Sequence, residues 1–521
     1  MLVSPGEKSM RSTTKAGAQM TASQGADVTA RQRICTDTSI QWNSINWPNV
    51  YALVRRLQER IAKAMQVGKT RTVRRLQWLL THSWFAKLLA VKRVVTNKGK
   101  RTPGVDGVLW TTQEAKLQAA HDLHRRGYRP LPLRRIHIPK GNGKMRPLGI
   151  PTMHDRAMQA LYRLALAPVA ETQADLNSYG FREYRGTADA IEQAFNCLCR
   201  RTSGTWILEG DITACFDQIS HDWLCHHVHM DRHIIQRWLS AGFIWQGGLF
   251  PTLAGTPQGG IISPTLANIA LDKLEEVIKR AAAPQRAHFI RYADDFLVIA
   301  QDKHVLTDRV KPSIENFLKN RGLTLSSEKT LITHIDSGVD FLGQHLRKYH
   351  NGRQWKLIIT PSRKNVQRFL DKIKELITSS YHMTRDVLVT KLNQKVRGWA
   401  NYHRHICAKR TFAYVDYVIY NALIKREQRL NPKMGKQEII RRYFENGLYG
   451  GERKTIPQQN RPQPQRLLAS HIPIIRHIKI NSQANPYDAN DVAYFANRRN
   501  KKRQRQGEIC RVGERSLMSS S

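Results

Sequence analysis

Two adjacent aspartates, Asp294 and Asp295, stand between apolar runs in "HFIRYADDFLVIA", residues 288–300. A two-residue turn between apolar strands usually contains Asn-Gly or Asp-Gly, so two anions there repel each other unless a cation offsets them. Mg²⁺ binds carboxylate oxygens, and two such ions about 4 Å apart stabilise the attacking and leaving oxygens of phosphoryl transfer. The pair therefore predicts a metal-dependent phosphoryl-transfer site. An exposed acidic turn or a helix cap is the alternative that the dipeptide alone leaves open.

A site of this kind needs a third acid to bridge the ions. Asp211 is the best candidate because it ends the apolar run at residues 206–208, which reads as a buried strand. Asp217 follows six residues later, and Glu209 precedes Asp211 by two residues. Since side chains alternate along a strand, Glu209 and Asp211 should share one face.

The surrounding segments supply the other parts of a nucleotide-polymerising site. A glycine-rich turn contains Gly255, Gly259 and Gly260, and residues 133–151 alternate on either side of Gly141-Asn142-Gly143 as in a short hairpin. The tip and flanks of this hairpin carry Lys140, Lys144 and Arg146. These features together favour polymerisation over an exposed acidic turn.

Helical periodicity predicts the elements that position these residues. An amphipathic helix with a basic outer face starts near Asn49, with an apolar stripe of Leu53, Leu57, Ile61 and Met65. Helical spacing resumes from Asp155. Ser263 is expected to cap a helix with Pro264 in its first position, followed by a stripe of Leu266, Ala270, Leu274 and Val277. Beyond Gly343 the sequence predicts helices again, with a stripe of Val366, Phe369, Leu370, Ile373 and Ile377.

The composition points to a polyanionic partner. The 521 residues include 84 lysines and arginines against 41 aspartates and glutamates, for a net charge of +43 and a pI near 10.4. Nucleic acid is the leading expectation. The chain is 41% hydrophobic yet has no apolar run of about 18 residues, so we expect a soluble protein without a membrane partner. Seven unevenly spaced cysteines predict reduced thiols.

The order of the motifs resembles one family. "RYADDFLVIA" resembles the Tyr-Ala-Asp-Asp block of reverse transcriptases, and residues 44–431 are similar to the reverse transcriptase-maturases encoded by group II introns. Nine blocks appear in the family's order: "TPGVDG", "IPKGNGKMRPLGIPTMHDRAMQ", "NSYGFREYRGTADAI", "GDITACFDQISH", "AGTPQGGIISPTLANI", "RYADD", "GLTLSSEKT", "FLG" and "RGWANYHR". Residues 476–488 resemble the DNA-binding region of cyanobacterial-type members.

The resemblance implies an α+β fold shaped like a right hand, with fingers, a palm built on an antiparallel sheet, and a helical thumb called domain X. The expected divisions are a disordered leader at 1–44, for which a transit peptide is the alternative, a basic helical extension at 45–110, fingers and palm at 111–350, the thumb at 351–431, a DNA-binding region at 432–497 and a basic tail at 498–521. Residues 447–466 read as a linker or long loop.

The resemblance also assigns roles by motif. Asp211, Asp294 and Asp295 match the catalytic aspartates, which with the carbonyl of Ile212 would bind two Mg²⁺ ions. The residues that match dNTP contacts are Lys140, Arg146, Phe216, Gln258 and Lys329. Those that match primer or template contacts are Tyr292, Gly259, Phe341, Leu342 and Gly343. Phe216 would exclude a ribose 2′-hydroxyl, although Phe216 and Phe341 are equally compatible with core positions and Lys329 with the surface.

The implied function is an RNA-directed DNA polymerase that also binds its intron RNA as a maturase, promotes splicing and supports retrohoming. Its partners would be intron RNA, an RNA template, a DNA primer or target, and dNTPs. A splicing-only RNA-binding protein and a reverse transcriptase adopted by a defence or CRISPR system are the alternatives. The implied location is the cytoplasm of a bacterium, with a cyanobacterial host or an organelle left open.

The C-terminal sequence departs from the family pattern. Many relatives continue into an HNH endonuclease with paired Cys-x-x-Cys ligands, whereas "GEICRVGERSLMSSS" contains Cys510 alone. One thiolate cannot form a four-coordinate zinc site. We therefore expect no DNA-cleaving domain here, but a degenerate remnant.

Overall fold

The computed structural model describes residues 41–139, 143, 145–257, 259–352, 354–445, 449, 465–502 and 504. Its α-helices are α1 (Trp47–Gln66), α2 (Thr70–His82), α3 (Trp84–Thr96), α4 (Gln113–Asp122), α5 (Met153–Gln173), α6 (Thr187–Leu198), α7 (Cys215–Gln218), α8 (His221–His227), α9 (Arg232–Leu239), α10 (Ser263–Leu271), α11 (Leu274–Ala282), α12 (Lys311–Lys319), α13 (Arg363–Thr378), α14 (Arg385–His403), α15 (Lys409–Leu430) and α16 (Lys436–Ile440). Its strands are β1 (Leu133–Pro139), β2 (Met145–Ile150), β3 (Trp206–Asp211), β4 (Phe243–Trp245), β5 (Gly248–Phe250), β6 (Ala287–Tyr292), β7 (Asp295–Ala300), β8 (Leu331–His334), β9 (Val339–Phe341), β10 (Gln344–Asn351) and β11 (Gln354–Pro361).

The predicted N-terminal amphipathic helix is α1. Asn46 caps it by accepting from the N–H of Asn49 at 3.2 Å. The fully buried face of α1, which contains Val50, Val54 and Ile61, is rotated from the predicted stripe. Of the predicted stripe, Ile61 is buried, whereas Leu53, Leu57 and Met65 are half-buried. Helices α2, α3 and α5 all pack against α1, so a single stripe could not describe its covered surface.

The predicted hairpin at residues 133–151 is confirmed. Strands β1 and β2 pair antiparallel, with Arg134 opposite Ile150 and Pro139 opposite Met145. Strand β1 also pairs with β4 in parallel, and the resulting sheet has the order β2-β1-β4-β5. The tip residues 140–142 and 144 lie outside the described residues.

A second four-stranded sheet, β6-β7-β3-β8, forms the centre of the molecule, and all its neighbours are antiparallel. Its two faces contact different hydrophobic cores. Leu208, Phe296 and Val298 belong to the core shared with the N-terminal helices, while Ile207, Leu297 and Ile299 belong to the core shared with α6 and the C-terminal helices. Gly210 lacks the Cβ that would lie 2.2 Å from the Phe296 ring.

The helix after the glycine-rich turn begins differently from the prediction. Ile262 is its N-cap, and Ser263 is already helical and donates its hydroxyl to the carbonyl of Pro257 at 2.8 Å. The predicted helix is interrupted between α10 and α11, where Lys273 has a φ of 76°, although all four residues of the predicted stripe pack in or against one core.

Residues after Gly343 form two strands before the helices that the sequence predicts. Strands β10 and β11 pair over their full length and join β9 in a three-stranded sheet. The helical stripe then appears in α13, where Val366, Leu370, Ile373 and Ile377 are buried. Helices α13 and α15 pack against each other, and α14 packs on α13.

The C-terminal segment, residues 465–502, crosses from the helical domain to the N-terminal half. Near its start, the N–H groups of Ala469 and Ser470 donate to Asp416 of α15, both at 2.8 Å. Near its end, Asp488 accepts from Gln66 of α1 at 2.9 Å. Among the described residues, none of the helices combines the length and apolar character needed to cross a membrane.

Candidate active site

The β3–β7 register brings the three predicted aspartates to one end of the central sheet. Asp211 lies directly opposite Asp295 in the antiparallel pair. Asp294 lies in the two-residue turn between β6 and β7, after Ala293 with its left-handed φ of 59°. The turn is therefore Ala293-Asp294, and Asp295 is the first residue of β7 rather than part of the turn.

The three carboxylates repel one another. Burial by the surrounding protein, followed by the charges of Asp294 and Asp211, raises the pKa of Asp295 to about 7. Burial, with the Asp211 charge added to it, also raises the pKa of Asp294, against the opposing charges of Arg146 and Lys329. This end of the sheet therefore favours a bound cation.

Lys329 reaches this cluster from a distant part of the sequence. Its Nζ donates to Asp211 Oδ2 at 2.7 Å, and this hydrogen bond, opposed in part by burial, raises the pKa of the lysine. The loop that carries Lys329 is fixed beside β3, because the N–H of Ser326 donates to the carbonyl of Asp211 at 2.8 Å. Lys329 is thus in the site, although its side chain is 65% exposed.

The main chain beside Asp211 has a defined pairing. Ile212, whose side chain is buried, forms an isolated antiparallel bridge with Leu325. The two hydrogen bonds at this bridge use the carbonyl of Asp211 and the N–H of Thr213. The carbonyl of Ile212, predicted to contact a metal, does not take part in them.

Phe216 lies in α7, just beyond the end of β3. The glycine-rich turn packs on this short helix, since the N–H of Thr256 donates to the carbonyl of Phe216 at 2.6 Å. Gly255 has a φ of 85°, and a Cβ there would lie 2.5 Å from the main chain of Asp217. Phe216 is half-buried and meets the exposed ring of Phe181 edge to face at 6.1 Å. It contacts the core and still borders the site.

The hairpin of β1 and β2 contributes Arg146, whose charge acts on Asp294. Gly259, with a φ of 112°, approaches β2 so closely that a Cβ would lie 2.5 Å from the carbonyl of Gly149. Lys140 and Gln258, both predicted to contact the dNTP, lie outside the described residues.

The predicted primer contacts divide into side-chain and main-chain groups. Phe341 is 3% exposed and belongs to the core, whereas Tyr292 is half-buried opposite Asp295. Leu342 and Gly343 form a turn with φ values of 49° and 74°, and Tyr402 donates its hydroxyl to the carbonyl of Leu342 at 2.8 Å. A nucleic acid strand at this turn would meet main chain rather than the Phe341 ring.

Comparisons with known proteins identify the family of this chain. The model of the reverse transcriptase (RNA-dependent DNA polymerase) family matches residues 138–346, that of the N-terminal domain of reverse transcriptase matches 42–123, and that of the group II intron maturase-specific domain matches 366–444. Protein YkfC of Escherichia coli is 30% identical over 370 residues, which cover 62% of this chain and 97% of that protein. The chain belongs to the reverse transcriptases of group II introns.

More distant proteins also match this group II intron reverse transcriptase. The group II intron-encoded protein LtrA of Lactococcus lactis is 27% identical over 441 residues, covering 70% of this chain and 72% of LtrA. An uncharacterized 91 kDa protein in the cob intron of Schizosaccharomyces pombe is 26% identical, covering 67% of this chain and 53% of that protein. A solved telomerase structure from Candida albicans aligns at 14% identity with a TM-score of 0.33, over 60% of this chain and 63% of that one.

The group II intron reverse transcriptase is an RNA-directed DNA polymerase that also has a maturase domain. It has the right-hand polymerase fold, with the antiparallel palm sheet predicted from the sequence. Nothing in the comparisons favours the splicing-only protein or the defence-system enzyme.

The donor set fits a divalent cation chemically, since Mg²⁺ prefers carboxylate and carbonyl oxygens. Reverse transcriptase domains in general use divalent metal ions. Among the residues that the structure describes, no three His, Cys, Asp or Glu side chains are arranged to hold a metal ion. In this arrangement, the ammonium of Lys329 takes one oxygen of Asp211.

Sequence reasoning missed the contribution of Arg291, two residues before the turn. Its side chain is fully buried, and it donates to Asp272 Oδ1 at 2.7 Å, to Asn268 Oδ1 at 3.1 Å and to the carbonyl of Ala293 at 3.4 Å. Arg291 therefore links the Ala293-Asp294 turn to Asn268 of α10 and to Asp272, the residue directly after α10. An arginine inside an otherwise apolar strand was the available signal, because a buried charge requires a partner.

Proposed function

We propose that Asp211, Asp294 and Asp295, with the carbonyl of Ile212, hold two Mg²⁺ ions and that this site adds dNTPs to a primer 3′ end on an RNA template. The observation that carries the proposal is the register that places Asp211 opposite Asp295 and beside the Asp294 turn. The bound ions would supply electrostatic stabilisation of the attacking and leaving oxygens. Asp211, whose Oδ2 accepts from Lys329, would be one of the carboxylates that hold the metal.

The cationic side chains around the aspartates bind the triphosphate. Arg146 on β2, together with Lys140, holds the phosphates, because guanidinium and ammonium groups offset their charge. Lys329, released from Asp211, faces the pyrophosphate leaving group. The charges of Arg146 and Lys329 already act on Asp294, which supports their place beside the reacting phosphates.

The remaining residues orient the nucleotide and the strands. The Phe216 ring excludes a 2′-hydroxyl, and the hydrogen bond from Thr256 to the main-chain carbonyl of Phe216 supports the position of the helix that carries it. Gln258 and Gly259 border the nucleotide and template, where glycine permits close approach of the backbone. Tyr292 and the main chain of the 341–343 turn position the primer.

The partner of the maturase activity is intron RNA, bound as a ribonucleoprotein, and a DNA target follows in retrohoming. The outer faces of the N-terminal helices support this proposal, since Arg71, Arg74 and Arg75 of α2 are exposed. Exposed cations neutralise phosphates and release counterions. Residues 432–497 remain our assignment for DNA contacts. The proposed divisions before them are the fingers and palm at 111–350 and the thumb at 351–431.

Asp294→Ala tests the catalytic part of the proposal. We expect primer extension on poly(rA)/oligo(dT) with dTTP and Mg²⁺ to fall by at least about 10³-fold, because the variant loses a carboxylate that would hold the Mg²⁺ ions. Asp308→Ala is the matched control, since Asp308 is an exposed aspartate outside the site. Equal extension by the two variants contradicts the assignment.

Splicing measured with the same two variants separates the activities. Asp294→Ala should retain binding and splicing of the cognate intron RNA, because the RNA itself performs the reaction and the protein only stabilises its fold. Loss of splicing together with synthesis would show that one site serves both activities.

A further inference from the structure

A cavity of about 440 Å³ lies between α13 and α15 of the thumb, on the surface of the maturase domain. Its apolar floor is formed by Ile377, Val418 and Ala422. The volume lies within the range of roughly 300–1,000 Å³ that is usual for ligand sites.

The walls of this cavity, which we call the thumb cavity, are positively charged. Lys374 of α13 and Lys425, Arg426 and Arg429 of α15 line it, and none of the described residues that line it is acidic. The exposed lysines and Arg429 form the rim, whereas Arg426 is 4% exposed and forms part of the inner wall. An anionic ligand is therefore favoured.

Arg426 gives the inner wall an excess of positive charge and a buried hydrogen-bond donor. Arg426 and Arg385 both donate to the buried carboxylate of Glu427, at 2.6 and 2.7 Å, so two cations share one anion. The Nε of Arg426 is buried, and no atom of the described residues accepts a hydrogen bond from it. A buried donor of this kind is costly unless a ligand or water accepts from it.

Two aromatic rings stand at the mouth of the thumb cavity. Tyr381 is 42% exposed and Tyr417 is 65% exposed. Arg429 donates to the hydroxyl of Tyr381 at 3.1 Å, which fixes that ring next to a cation. Flat, exposed rings beside cations suit a ligand that combines a planar base with phosphate.

We propose that the thumb cavity binds an unpaired nucleotide of an RNA strand, with the base against the tyrosines and the flanking phosphates on Lys374, Lys425 and Arg429. The proposal rests on the RNA binding proposed above and deepens it by naming a binding site. Base-paired RNA does not fit, because its bases are stacked on one another and cannot enter a cavity.

Photocrosslinking of the full-length protein tests the site. A short single-stranded RNA containing 4-thiouridine is bound in excess unlabelled duplex RNA, which competes for non-specific charge contacts. We expect crosslinks in peptides containing Tyr381 or Tyr417, and none when the same 4-thiouridine is base-paired. Crosslinks confined to other parts of the chain overturn the proposal.

Matched tyrosine variants give a second measurement. Tyr417→Ala should weaken binding of the single-stranded RNA by about 5- to 100-fold, the usual loss when one base-stacking ring is removed. Tyr417→Phe should retain binding because it keeps the ring. Tyr414→Ala is the control, since Tyr414 is a 53% exposed tyrosine on the same helix that does not line the cavity. Equal losses for Tyr417→Ala and Tyr414→Ala overturn the proposal.

Two further measurements identify the source of the nucleotide and distinguish a failure of the thumb-cavity proposal from a failure of the polymerase function. If UMP alone prevents the crosslink as efficiently as the RNA strand, the cavity binds free nucleotides and the strand assignment is wrong. Primer extension on poly(rA)/oligo(dT) is measured for each variant. If Tyr417→Ala retains both primer extension and wild-type RNA binding, the proposal for the thumb cavity is wrong and the polymerase function is unaffected.

Discussion

At the residue scale, Arg291 is a buried side chain that can position the turn carrying Asp294 without touching substrate. Burial raises the pKa of its partner Asp272 to about 7, and the nearby charge of Arg291 opposes that rise. Removing one member of a buried ion pair costs about 3–5 kcal/mol, because it leaves the other charge uncompensated. Arg291→Ala would therefore test folding rather than positioning.

Arg291→Lys is the informative change. It keeps the charge but cannot reach Asp272, Asn268 and the carbonyl of Ala293 together, so the Ala293-Asp294 turn should become less well fixed. We expect the Mg²⁺ concentration for half-maximal primer extension to rise by roughly 3- to 10-fold, with primer-template affinity unchanged. Arg286→Lys, an exposed arginine just before β6, is the control. An unchanged Mg²⁺ requirement in Arg291→Lys contradicts a positioning role.

At the element scale, residues 465–502 act as a strap that joins the thumb to the fingers and palm. Asp189 of α6 is its main anchor. This buried carboxylate accepts from His477 Nε2 and the N–H of Ile480, both at 2.8 Å, and from Arg498 at 3.0 Å. The strap also contacts Tyr184, whose ring meets Phe495 at 4.8 Å. His477, Ile480 and Phe495 belong to the region that the sequence assigned to DNA binding, and Arg498 is the first residue of the predicted basic tail.

Asp189→Asn should loosen the strap. The amide is a poorer acceptor for three strap donors, and an impaired buried hydrogen-bond group costs about 1–3 kcal/mol, which corresponds to roughly 5- to 150-fold faster local exchange. Hydrogen exchange of residues 477–484 at neutral pH measures this effect. Asp222→Asn, at an exposed aspartate outside the strap, should exchange like the wild type.

The pH dependence of the same variant has a definite sign. Burial would raise the pKa of Asp189, but the hydrogen bond and charge of His477, with Ile480 and Arg498, lower it below the ordinary value. The stabilisation is therefore complete above the unfolded pKa of about 3.9 and is lost as the pH falls through the folded pKa. The difference between wild type and Asp189→Asn should shrink below about pH 4. A difference that grows on acidification would contradict this reasoning.

The elements also show what sequence reasoning can reach. Local patterns predicted β3, the β1–β2 hairpin and the β6–β7 turn, and the family motifs brought Asp211 into one set with the aspartate pair. The β10–β11 hairpin was missed although Gly352, with a φ of 58°, separates two runs of strand residues. The Lys329 contact and the Asp189 anchor join residues 118 and 288 positions apart, so no local pattern could reveal them.

At the scale of the whole molecule, the net charge of +43 is unevenly available to nucleic acid. Some cations are already neutralised, such as Lys279 and Arg280 of α11, which pair with Glu275 at 2.7 Å and Glu276 at 2.6 Å. Arg71 and Arg75 of α2 are exposed on the outer surface of the N-terminal extension. Total charge sets the attraction to RNA, whereas the distribution of unneutralised charge decides where the RNA lies.

The salt dependence of intron RNA binding distinguishes these two sets of cations. Each phosphate contact contributes about 0.7–0.9 to the slope of log K against log salt concentration, so Arg71→Gln with Arg75→Gln should lower its magnitude by roughly 1.5. Lys279→Gln with Arg280→Gln removes the same formal charge from ion-paired positions and should leave the slope near that of wild type. Filter binding over a series of KCl concentrations measures all three proteins. Equal slopes for the two double variants would mean that the RNA responds to total charge alone, and the N-terminal helices would then not be a specific part of the intron-binding surface.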